Sequence, residues 1–93
     1  MSHVELPAAL RQYTDGRRTV VIDHPDQAAL AAVLDLLAAE CPALDFRLRD
    51  EQGRLRRYVN VYLDGEDVRR LAELDTPVPA GGEVRILPSV AGG

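Results

Sequence analysis

Lysine is missing from this 93-residue chain, so all 11 basic residues are arginine. Without an ε-amine, no lysine here can accept an isopeptide bond. Cysteine occurs once, at Cys41, which excludes an internal disulfide and a cysteine metal cage and fits a reducing compartment. No apolar run is long enough to span a bilayer. The opening MSHVEL lacks both the basic start and the apolar core of a signal peptide, so a cytoplasmic location with no membrane partner is expected. A basic excess is lacking too. The net charge is −4, the wrong sign for neutralising phosphates, and nucleic acid is set aside as a partner. His3 and His24 stand far apart with no zinc-ligand spacing, so no metal site is expected. Nor is there a nucleophile elbow, a phosphate-binding loop or a paired-carboxylate motif. Intrinsic catalysis is therefore not expected.

What is present is a well-patterned small domain with an ordinary apolar fraction of 46%. HVEL alternates, with Val4 and Leu6 on one face, and reads as a half-buried strand ended by Pro7. After the Asp15-Gly16 turn, TVVID is β-branched and reads as its hairpin partner. The period then changes: Leu30, Val33, Leu34, Leu37, Cys41 and Leu44 recur at helical spacing. A helix is predicted over residues 27–40, capped by Asp26 and stopped by Pro42, with Cys41 as a small core residue. Residues 45–57, charged and containing Gly53, read as a loop with a small hairpin or an extension of the next strand. YVNVYL alternates, with Val59, Val61 and Leu63 inward and Tyr58, Asn60 and Tyr62 outward. EDVRRL follows the Asp64-Gly65 turn as a short edge strand or irregular segment, and EVRIL is the last strand, with Val84 and Ile86 inward. One helix across a mixed sheet of four to five strands, with the last strand beside the first, is an α+β arrangement of the β-grasp type. The expected organisation is a domain over residues 1–88 and a flexible tail over residues 89–93.

That tail raises its own question. ILPSVAGG carries no charge, no bulk after Val90 and no side chain on its last two positions. Pro88 stiffens the exit from the sheet and removes a ladder donor. Ala91 keeps the approach slim, and Gly92 and Gly93 reach backbone angles closed to other residues. Such an end can enter a narrow channel in another protein. Terminal glycines also occur in ordinary frayed ends; their position directly after a final β-grasp strand separates the two cases.

The stretches VYLDGEDV and TPVPAGGEVRILPSVAGG resemble the MoaD/ThiS-type bacterial sulfur-carrier proteins, which are ubiquitin-like in fold. The resemblance covers the chain in outline, is most specific over residues 59–93, and is closest to the longer carriers ending Val-Ala-Gly-Gly, which include the cysteine-biosynthesis type. One departure is Gly81-Gly82-Glu83, where relatives often carry Gly-Asp; it bears on turn geometry. The length of the 45–57 segment weakens an assignment to thiamin synthesis. The resemblance implies a carrier rather than an enzyme. An E1-like adenylating enzyme, using ATP and magnesium that the carrier itself does not bind, converts the Gly93 carboxylate to an acyl-adenylate. A sulfur donor displaces AMP to leave a thiocarboxylate, and a sulfur-acceptor biosynthetic enzyme consumes it. The tail residues Pro88, Val90, Ala91 and Gly92 would be recognised by both enzymes. The product (cysteine, molybdopterin or a secondary metabolite) depends on the acceptor.

Two other features stand out. Tyr58, Tyr62 and Leu87 share the face away from the helix, either as a partner-docking patch near the tail or as ordinary cross-strand packing. Arg47, Arg49, Arg54, Arg56 and Arg57 crowd one segment; with Asp45, Asp50 and Glu51 interspersed, they read as a solvated, internally compensated loop. Besides the sulfur carrier, two functions stay open: a ubiquitin-like modifier joined through Gly93 to target lysines, and a β-grasp module that binds without covalent chemistry.

Overall fold

In a computed structural model describing residues 1–88, strands β1 (Ser2–Glu5) and β2 (Thr19–Ile22) pair antiparallel, with His3 opposite Val21. A 3-10 helix, Ala8–Tyr13, lies between them and was not anticipated; it packs Leu10 and Tyr13 against the core. The chain continues as β3 (Ala28–Ala29), α1 (Leu30–Glu40), α2 (Pro42–Leu48), β4 (Val59–Leu63), β5 (Glu66–Asp67), β6 (Pro77–Val78) and β7 (Glu83–Pro88). Five strands make one sheet in the order β2-β1-β7-β4-β5, and β3 and β6 form a separate ribbon. β7 runs parallel to β1 and antiparallel to β4, so the last strand is central. The expected pairing of first and last strands is present, as is the β-grasp arrangement.

Alternation decides which face is buried. Val4, Val20, Val61, Val84 and Ile86 point inward against Leu30, Val33, Leu34 and Leu37 of α1. Cys41 is buried with them, as the helical stripe implies.

The end of the main helix at Glu40 is as expected, but its start and the segment after it differ, each for a physical reason. The main helix starts at Leu30, not at residue 27, and Asp26 does not cap it. Gln27 has φ 65, in the left-handed region. The amides of Gln27 and Leu30 donate instead to Val78 and Thr76 carbonyls, while Asp26 Oδ1 accepts from the Ala80 amide at 2.8 Å. Asp26 thus ties the β6–β7 turn to the start of the helix. Second, Pro42 ends one helix and opens another: its missing N–H costs nothing in a first helical turn. Leu44 and Leu48 of α2 continue the buried stripe beyond Cys41. Part of residues 45–57 is therefore helix, and the remainder holds a one-bridge hairpin, Arg49 opposite Leu55. The short edge strand foreseen in EDVRRL is limited to β5 and gives way to a 3-10 turn, Val68–Arg70.

Candidate functional site at the exit of the central strand

Pro88 is the last residue of β7 and pairs with Val59. Gly93, Gly92, Ala91 and Val90 lie outside the described residues. β7 lies between β1 and β4 in the sheet, but at its end only the β4 side is paired, because the parallel pairing with β1 stops at Arg85. The strand is held on both sides over residues 83–85 and by β4 alone over residues 86–88.

Leu87 is the hinge of the surrounding surface. With Tyr58, Leu10, Tyr13 and Pro88 it lines a cavity of about 290 Å³ between the first 3-10 helix and the sheet. With Tyr62, Gly65, Glu83 and Arg85 it lines a second of about 260 Å³ on the open sheet face. Leu87 thus meets each tyrosine in a separate depression. Tyr58 and Tyr62 are divided by Asn60, which lies opposite Leu87 and whose Oδ1 accepts from Arg69 at 2.8 Å. Lower on the same face, Arg85 donates to Glu5 at 2.9 Å and bridges Glu83 at 3.3 Å. The open face is thus part apolar, part ion-paired, with the apolar part nearest the tail. Tyr58 and Leu87 are exposed and Tyr62 is half-buried.

The arginines are compensated in part, as the interspersed carboxylates imply, and in part not. Arg49 bridges Asp35 and Asp45, both at 2.8 Å, and Arg54 sits 3.7 Å from Asp50. That uses the nearby carboxylates of Asp45 and Asp50. Among the described residues, Arg47, Arg56 and Arg57 have no carboxylate partner. Asp50 accepts the amides of Arg54 and Gln52, and the Arg54 amide above all holds its carboxyl below the usual carboxylate range. Two aromatics that the pattern did not single out, Tyr13 and Phe46, complete this side of the surface. Phe46 lay in a segment read as loop, and only the leucines at positions 44 and 48 signalled the helix that presents it.

Among the described residues no group of three His, Cys, Asp or Glu side chains is placed to hold a metal ion, and no helix is long and apolar enough to cross a membrane.

A mixed five-stranded sheet crossed by one main helix, whose central strand leads into a Val-Ala-Gly-Gly end, defines a ubiquitin-like β-grasp protein. The chain belongs to the ThiS family, whose model matches residues 4–93. The sulfur carrier protein CysO of Mycobacterium tuberculosis is 39% identical over 92 residues, covering 97% of this chain and 96% of that protein. A chain in the crystal structure of the Amycolatopsis orientalis BexX/CysO complex superposes with a TM-score of 0.89 at 33% identity, each chain covered over 100% of its length. Small archaeal modifier protein 1 of Haloferax volcanii is 36% identical over 78 residues, 84% of this chain and 85% of that protein. The crystal structure of that protein gives a TM-score of 0.82.

Proposed function

We propose that this protein is a sulfur carrier loaded at the carboxyl group of Gly93. The reading is carried by one observation: the family match runs through residue 93, the last of a side-chain-poor segment that follows directly on the central strand. A carboxylate with a pKa of about 3.5 is ionised at neutral pH and resists attack. Its oxygen instead attacks the α-phosphorus of ATP, with magnesium on the phosphates; pyrophosphate leaves and an acyl-adenylate forms. A donor sulfur then attacks the acyl carbon and AMP departs, leaving a thiocarboxylate. This group keeps the negative charge but places much of it on a soft, nucleophilic sulfur. The partners are an E1-like adenylating enzyme and a sulfur-acceptor biosynthetic enzyme; the carrier is their cosubstrate, located in the cytoplasm. Slim Ala91, Gly92 and Gly93 fit an enclosed active-site channel. The Tyr58–Leu87 and Tyr62–Leu87 depressions supply the docking face beside it.

Incubation with an adenylating enzyme, ATP, magnesium and a sulfur source should raise the intact mass by about 16, the exchange of one oxygen for sulfur. No gain with any cognate activating enzyme, together with full biological function in a chain lacking Gly93, would overturn the reading.

The similarity to a small archaeal modifier protein favours a second use, capture of the same activated carboxyl by a lysine amine on a target protein. The absence of lysine from the chain precludes polymeric conjugates built through its own lysines. Reductant-resistant adducts larger than the domain and dependent on Gly93 would establish this use.

A further inference from the structure

Phe46 is the most exposed large hydrophobic residue described, at 73%, and it does not stand alone. With Tyr13, Tyr58 and Ala43 it lines an open depression of about 710 Å³ that also includes Arg47 and Arg56. The depression shares Tyr13, Arg47 and Tyr58 with the cavity beneath Leu87 and Pro88, so the two adjoin across these side chains to make a grooved surface beside the root of the tail. Arg47 lies over the Tyr13 ring, its guanidinium carbon 5.1 Å from the centroid. Arg56 uses Nε on the Phe46 carbonyl at 2.7 Å, which fixes the side chain and keeps its terminal nitrogens for other acceptors. Arg57, exposed, lies next to Tyr58 in an adjoining depression that also holds Asp50, Glu73 and Asp75, none of them within ion-pair distance of it. Among the described residues none of these three guanidiniums has an ion pair, a trait they share with Arg11, Arg18, Arg69 and Arg70; what sets them apart is their place beside Tyr58 and Phe46. A cationic rim around an aromatic floor therefore stands on a protein whose net charge is −4.

We infer that this groove is a docking surface for an acidic segment of a partner protein, one that carries an aromatic or large aliphatic side chain flanked by carboxylates. Charge complementarity selects the carboxylates, since bidentate guanidinium–carboxylate pairs are the strong form of this contact. The floor selects the apolar anchor: aromatic pockets ringed by arginine are where binding energy concentrates. A nucleic-acid occupant is disfavoured by the field of the whole molecule, because a duplex would bring many phosphates against a net-acidic protein to meet three arginines. The inference reads the body of the protein, not Gly93, so it stands or falls independently of sulfur loading.

The test is a titration of the isotope-labelled full chain with an amide-capped peptide, Asp-Glu-Asp-Phe-Glu-Asp-Glu, followed by amide chemical shifts. Saturable shifts should centre on Phe46, Arg47, Arg57 and Tyr58. The dissociation constant should rise at least about tenfold when the peptide's carboxylates are replaced by amides, and about as much when its Phe becomes Gly. The double variant Arg47→Glu/Arg57→Glu should lose binding, while Arg18→Glu/Arg70→Glu, the same charge change elsewhere, should keep it; the spectra themselves report that both fold. Four outcomes would overturn the inference: no saturable shifts, equal loss in both double variants, tighter binding of a 12-base-pair duplex, or the same shifts on concentrating the protein alone, which would indicate a second copy as the occupant.

Discussion

Ser2 is wholly buried, and its hydroxyl lies 2.6 Å from His24 Nε2. The other ring nitrogen, Nδ1, is 2.8 Å from the Pro25 carbonyl, which can only accept, so Nδ1 donates there; the Ser2 hydroxyl lies between Nε2 and, at 3.4 Å, the Pro79 carbonyl. His24, considered from sequence as a metal ligand and set aside, is thus half of a buried polar pair joining β1 to the segment before β3. Removing Ser2 leaves His24 Nε2 buried without its partner, whereas removing His24 leaves the Ser2 hydroxyl only the long contact to the Pro79 carbonyl. Ser2→Ala should therefore cost about 1–3 kcal/mol in urea unfolding, while Ser2→Ala with His24→Leu should cost less than the sum of the two single changes. Equal, additive losses would mean the pair contributes nothing as a pair. Cys41 behaves differently. Burial pushes its thiol pKa up, Arg17, with an N–H 3.4 Å from the sulfur, pulls it back, and Glu40 and Asp15 push it up again, leaving it above the ordinary thiol value. The folded state therefore holds the proton longer than the unfolded chain. Stability is constant below the ordinary thiol range and falls as pH rises through it, from about 8.5 upward. Native Cys41 should react with a disulfide reagent at least about tenfold more slowly than in urea, and Cys41→Ala should flatten that alkaline loss.

Besides its buried leucines, α2 is clamped to α1 by one side chain. Arg49 follows the helix and donates at 2.8 Å both to Asp45, within α2, and to Asp35, on α1. Burial alone would lower its pKa, but the two carboxylates outweigh that and keep the guanidinium fully charged. Asp35 is well exposed, so the pair with it is screened and the clamp is worth less than a buried one. Arg49→Met should cost about 1–2 kcal/mol and should raise amide exchange in α2 more than in α1. Uniform exchange across both helices would show that the two move as one unit without the clamp. This element also marks where the sequence stops being legible. Leu44 and Leu48 continued the stripe of α1 at spacings of three and four, but Pro42 and the charges around them read as loop. The start of α1 was hidden for another reason: the amides of Gln27 and Leu30 are taken by Val78 and Thr76, about fifty residues away, a pairing that no local pattern reports. By contrast, β4 and β7 were readable because strict alternation over Val59, Val61, Leu63, Val84 and Ile86 has one solution, a single buried face. The tyrosines were readable as outward, but Asn60's capture of Arg69 between them and the freeing of Arg47, Arg56 and Arg57 from local carboxylates follow from side-chain geometry alone.

At the scale of the whole molecule, the body and the tail are expected to separate by function. The sheet register closes at Pro88, and the buried core described extends from Val4 to Ile86. A chain ending at Pro88 retains every strand pairing and every core side chain named above, so its thermal midpoint should lie within about 2 °C of the full chain, the shift expected for a change well under 1 kcal/mol in a domain of this size. The same chain should gain no sulfur at all when incubated with an activating enzyme, ATP, magnesium and a sulfur source. Capping Gly93 as an amide is the sharper comparison. It changes one oxygen to nitrogen, removes the nucleophilic carboxylate that attacks ATP, and leaves every residue of the body and tail in place. Unchanged stability with complete loss of loading would locate the chemistry in that one group. A large fall in the midpoint on removing residues 89–93 would instead make the tail part of the fold, and loading of the amide would remove Gly93 from the reaction altogether.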